Sequence, residues 1–152
     1  ESITTNVPVG LGEPIFSSLE SDLSKAIFSI PSVKGIEFGS GFQGSELFGS
    51  ENNDLYTMKR GKIITKTNNS GGILGGISNG MPITMRIAFK PASSIAQKQS
   101  TVDIKNKKNT ILQVKGRHDP CVVPRAAPVV DSLVALTIAD HALITGAIKP
   151  SL

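Results

Sequence analysis

The densest group of ionisable side chains in the chain is Gly116-Arg117-His118-Asp119-Pro120-Cys121-Val122-Val123-Pro124-Arg125-Ala126, with two arginines, a histidine and an aspartate between stiffening prolines. If this segment is extended, Arg117 and Asp119 share one side and could present a cation and a proton acceptor to one ligand, while His118 points to the other. A second group, Lys90-Pro91-Ala92-Ser93-Ser94, places an ammonium and two hydroxyls within one short stretch. That set suits a phosphate, although a solvated strand end reads the same way. A third is Thr67-Asn68-Asn69-Ser70-Gly71-Gly72-Ile73-Leu74-Gly75-Gly76-Ile77-Ser78-Asn79-Gly80, too rich in glycine for a regular strand or helix. Its glycines serve either tight packing of chain on chain or close approach to a ligand. No serine or cysteine stands in a nucleophile motif, no metal-ligand spacing occurs, and Cys121 reads as a buried small apolar side chain.

The elements that must position these groups follow from periodicity. Gly12-Glu13-Pro14 precedes a helix expected from Ile15 to about Ile30, with Ile15, Leu19, Leu23, Ala26, Ile27 and Ile30 on one face. Pro31 ends it, and Val33 to Phe38 alternates as a half-buried strand. Gly39-Ser40-Gly41-Phe42-Gln43-Gly44 matches G-x-G-x-x-G but lacks the dinucleotide context: Gly49 and Ser50 break a following helix, and Glu51 and Asp54 come too early. A flexible turn is expected there. Leu55–Met58 and Lys62–Thr67 form strands joined at Arg60-Gly61, and Ile83 to Phe89 is a strand with Arg86 and Lys90 on its polar face. Thr101–Ile104 and Thr110–Val114 make a hairpin around Lys107-Lys108-Asn109, and a last, largely apolar helix runs from about Pro128 to Ile144. On it, His141 near the negative end reads as a satisfied structural histidine.

The 152 residues suit one unit, 1–152, and 39 % hydrophobic content suffices for a core. Sixteen Lys and Arg against twelve Asp and Glu give a net +4, a mild bias toward small anionic ligands. Aromatics are 5 % with no basic stripe, which argues against nucleic acid. Leu133–Ile148 carries Asp140 and His141 and is too short to span a bilayer, so no membrane segment and no signal peptide are expected. A single cysteine excludes an internal disulfide.

Taken together, Gly10-Leu11-Gly12-Glu13-Pro14, Val33-Lys34-Gly35-Ile36-Glu37, Ser70 to Gly80, Lys90-Pro91 and Gly116 to Cys121 occur in the order typical of chorismate synthase, and the chain resembles the C-terminal part of that family over essentially its whole length. The resemblance implies an α+β fold with helices sandwiched between antiparallel β-sheets, a homotetramer and a cytoplasmic location. It implies a lyase that converts 5-enolpyruvylshikimate 3-phosphate to chorismate by 1,4-anti elimination of phosphate, with reduced FMN required although no net redox occurs. Matched by motif, the flavin-binding positions would be Pro31, Ser32, Gly75, Lys90, Pro91, Ala92, Ser93, Ser94 and Arg117. Arg117 would also help hold the anionic substrate, and Asp119 would accept the flavin N5 proton. Ala92 stands where the family usually has threonine, so a hydroxyl would have to come from Ser93 or Ser94. The family's two catalytic histidines lie in an N-terminal part that this chain lacks, so alone it is expected to be inactive. The competing readings are a flavin- or anion-binding module without chemistry and a structural oligomerisation piece.

Overall fold

The structure, a computed structural model, describes residues 1–149. In chain order its elements are β1 (Ser2–Thr4), α1 (Leu19–Phe28), β2 (Val33–Phe38), α2 (Gly49–Asn52), β3 (Tyr56–Lys59), β4 (Lys62–Thr65), β5 (Ile73–Leu74), β6 (Ile77–Ser78), β7 (Ile83–Phe89), β8 (Lys98–Asp103), β9 (Lys108–Gln113) and α3 (Val123–Ile144). β7 is the centre of a three-stranded antiparallel sheet, with β1 and β2 on either side, and the other strands pair as three hairpins. The class is mixed α+β with antiparallel sheets.

Alternation along β7 decides the layers. Ile83 and Met85 are 0 % and 1 % exposed, while Arg86 faces solvent and meets Glu37 on β2 at 2.8 Å. On the inward face lie α1, through Leu19, Leu23 and Ile27, and α3, through Ala126, Val130 and Val134. Each fully buried leucine or isoleucine stabilises the fold by roughly 1.5–3 kcal/mol relative to exposure. The opposite side of α3 is bare, with Leu136 66 % and Ile144 63 % exposed.

Several boundaries differ from expectation for identifiable reasons. α1 begins at Leu19, not Ile15, because Ile15 has a φ of +70° and Ser18, extended at its ψ of 145°, caps the helix by accepting the Ser21 N–H. Gly41–Glu46 forms a 3₁₀ helix rather than a loose turn, and Gly49 and Ser50 lie inside the short α2, where the Glu51 carboxylate accepts the Phe48 N–H at 2.9 Å. The β8–β9 hairpin turns at Ile104–Lys107, two residues earlier than expected, with the Asp103 carboxylate accepting both the backbone and side-chain amides of Asn106. α3 starts at Val123, five residues early, since Pro124 fits a helix's first turn and Pro128 is tolerated within. Its 22 residues make it long and apolar enough by composition to cross a bilayer, but here one face packs in the core.

Candidate functional site

Two of the chemically promising stretches meet at the end of the central sheet. β2 and β7 pair to Val33 and Phe89, and one step further the Lys90 N–H donates to the Ser32 carbonyl at 2.8 Å. Ser32 adopts a φ of +75°, a conformation few side chains accept, in the tight Pro31-Ser32 turn between α1 and β2. Pro91 ends the ladder by removing a donor, and the chain crosses to β8. On the return, Gln113 at the end of β9 donates its side-chain amide to the Ala96 carbonyl at 2.9 Å, tying the two feet of the hairpin together.

Between those feet lies an open cleft of about 500 Å³, with Pro91, Ala92, Ser94 and Ile95 on one wall and Gly116, His118, Asp119 and Pro120 on the other. The second wall is not extended. Gly116 has a φ of +150°, and the His118 ring folds back over it, so that a Cβ on Gly116 would sit 3.2 Å from Nε2. His118 and Asp119 therefore both line the cleft, and the expected opposition of the two does not occur. Nor does Arg117 line it with Asp119. The Asp119 carboxylate instead meets Arg125 in the first turn of α3, Oδ2 to Nη1 at 3.1 Å. Lys90, Ser93 and Arg117 are exposed beside the cleft, and neither Lys90 nor Arg117 has an ion-pair partner among the described residues. Cys121 is exposed rather than buried, because the segment before α3 lies on the surface.

The glycine stretch stands apart and answers its own alternative twice. It does contain regular structure: β5 and β6 form a minimal hairpin turned by Gly75 and Gly76, whose φ angles of +62° and +83° are those of a two-residue turn with left-handed centres. Gly71, Gly72 and Gly76 are packing glycines, since a Cβ on them would strike Gly39, Pro82 or Ser18. A Cβ on Gly75 would meet nothing within 4 Å, so that side of its backbone is open to approach. Gly75 lies by the N-terminal end of α1, where Gly76 carbonyl accepts the Leu19 N–H, whereas Ser32 and Lys90 are at the other end of that helix.

One structural carboxylate escaped the sequence reading. Asp54 accepts from the Asn69 N–H at 2.8 Å, the Thr67 hydroxyl at 2.6 Å, and the Ser70 N–H and hydroxyl at 2.8 and 2.7 Å. Partial desolvation works to raise its carboxyl, but hydrogen bonds from Thr67, Ser70 and Asn69 outweigh it and hold the group below the ordinary aspartate value. A polar run, Thr67 to Ser70, opposite an isolated aspartate was the available signal.

A chain with this fold has known counterparts. The profile of the chorismate synthase family matches residues 1–143. Similar curated proteins include the chorismate synthases of Korarchaeum cryptofilum, 58 % identical over 93 % of this chain and 39 % of its own length, and of Archaeoglobus fulgidus, 53 % identical over 100 % of this chain and 42 % of its own length. A crystal structure of chorismate synthase superposes with a TM-score of 0.73 at 31 % identity, over 93 % of this chain and 35 % of that one. The chain belongs to the chorismate synthase family. It spans about two-fifths of the length of the curated relatives it matches.

Proposed function

We propose that residues 1–152 are a single unit corresponding to the C-terminal part of a chorismate synthase, a cytoplasmic lyase that forms chorismate and phosphate from 5-enolpyruvylshikimate 3-phosphate by 1,4-anti elimination. The observation that carries this is the cleft itself, which sets Ser94 and the nearby Lys90 against Asp119 across about 500 Å³. The donor set fits FMN. Lys90, without an ion-pair partner among the described residues, offers an ammonium and Ser93 and Ser94 offer hydroxyls for its phosphate, Pro91 and Ala92 line the cleft beside them, and the Pro31-Ser32 turn is bonded to Lys90 through the Ser32 carbonyl, while Gly75, at the other end of α1, would meet a part of the flavin remote from the phosphate. Bound there, reduced FMN would supply an electron transiently and recover it.

The chain's own residues do the rest. Pro91, Ala92, Ile95 and Pro120 give the open cleft apolar walls against which a ring could pack. Arg117 supplies a cation for the anionic substrate. A 1,4-elimination removes phosphate and a proton from opposite ends of a four-carbon unit, and the Asp119 carboxylate would accept the proton from the flavin N5. With about three-fifths of its relatives' length outside it, the chain alone is inactive and part of a homotetramer only when joined to that remainder.

The test is an anaerobic FMN titration and a phosphate-release assay on the chain alone and on the chain joined to the N-terminal part of the Archaeoglobus fulgidus relative. The joined protein should release phosphate only with reduced FMN, and Lys90→Ala should weaken FMN at least about tenfold, the loss of a charge-assisted bond. Undiminished FMN affinity in Lys90→Ala would overturn the phosphate assignment.

A further inference from the structure

Arg125 stands where helix electrostatics alone would not place a cation. It is the third residue of α3, its N–H donates to the Val122 carbonyl at 3.1 Å, and no acidic residue shares that first turn. The positive end of a helix dipole disfavours a cation there. Its partner is Asp119, and among the described residues neither side chain has another charged contact.

The two partners are held very differently. Ala126, Val130 and Val134 are 8 %, 5 % and 2 % exposed, so the helix that carries Arg125 is fixed to the core. Asp119 sits in the irregular segment between β9 and α3. The ion pair therefore anchors a loop carboxylate to a rigid element. It does so through Oδ2 alone, and Oδ1 has no partner among the described residues. With the two side chains 74 % and 44 % exposed, the pair contributes little to stability. What it sets is geometry.

We propose that Arg125 is a positioning residue for Asp119, holding Oδ2 from the end of α3 and leaving Oδ1 as the oxygen that receives a proton in the cleft. This rests on the reading of Asp119 given above. The test compares Arg125→Met, Arg125→Lys, Asp119→Asn and the Arg125→Met/Asp119→Asn double variant in the joined protein. In flavin-free protein, the backbone NMR order parameters over residues 116–122 should fall in Arg125→Met, from near the rigid value of about 0.85 towards about 0.6, with the melting temperature unchanged. Turnover with FMN should fall about thirtyfold at a KM altered less than about threefold, the signature of misplacement rather than lost binding. Arg125→Lys, which keeps the charge, should recover most of both, and the double variant should be no slower than Asp119→Asn.

Unchanged order parameters and turnover in Arg125→Met would overturn the proposal. So would losses that multiply in the double variant, a rise in KM without a fall in kcat, or a protein that no longer folds, since each assigns Arg125 a different role. Wild-type turnover in Asp119→Asn would sink the assignment of Asp119 itself, whatever Arg125 does.

Discussion

The imidazole Nε2 of His141 lies 3.0 Å from a carboxylate oxygen of Asp22, joining α3 to α1 across the core. The ring is 3 % exposed and Asp22 32 %, while the buried Nδ1 has no partner. The expected satisfied histidine is thus satisfied at one nitrogen. Asp22→Ala strands the ring and should lower stability by about 1–3 kcal/mol, and His141→Leu should cost less because Asp22 can still reach water. Urea melts of the two variants decide the order.

Gly75 and Gly76 share one turn but should respond differently. Gly75→Ala meets open space and suffers only its left-handed backbone, about 1–2 kcal/mol. Gly76→Ala also brings a Cβ within 2.5 Å of the Ser18 Cβ, so overlap adds about 1–3 kcal/mol more. Thermal melts compare them, and a weaker FMN affinity in the milder variant, Gly75→Ala, is the result expected of a flavin contact.

Asp54 makes stability depend on acid. Its folded-state value lies below the unfolded one, so its contribution is fully present above the unfolded aspartate value of about 4 and disappears as pH falls through the folded value. Asp54→Ala should flatten that acid limb and, allowing for solvent around the group, cost about 1–2 kcal/mol at neutral pH. Denaturant midpoints measured from pH 7 downward test both statements.

The two faces of α3 should tolerate change unequally. Val134, 2 % exposed, should lose about 1–3 kcal/mol on Val134→Ala. Leu136→Ser, at 66 % exposure, should stay within about 0.5 kcal/mol in the chain alone. In the joined protein the same substitution should reduce the assembled fraction by gel filtration, as expected if the helix's bare side is covered in a homotetramer.

What could be read from the sequence was what local chemistry decides. The inward stripe Leu19, Leu23 and Ile27 and the alternation of Ile83, Met85 and Arg86 were legible because burial imposes a period on each element. Hydrophobic period places Ile15 on the helix, yet it is 79 % exposed: backbone φ and the Ser18 cap outweigh periodicity there. The glycine hairpin was missed since two residues per strand carry no pattern. Residue type points to Asp119, which lines the cleft, and to Lys90 beside it, but the pairing of Asp119 with Arg125 depends on a chain reversal between Gly116 and Val123 that no spacing encodes.

The β8–β9 hairpin, both strands of which are exposed almost throughout, stands on two legs, and those legs are the walls of the cleft. Residues 91–97 lead into it and residues 114–122 lead out, with Gln113 and Ala96 clasped between them. Mechanically it is a handle. Because both walls are legs of one hairpin, the spacing of Ser94 and Asp119 is tied to the pairing of β8 with β9.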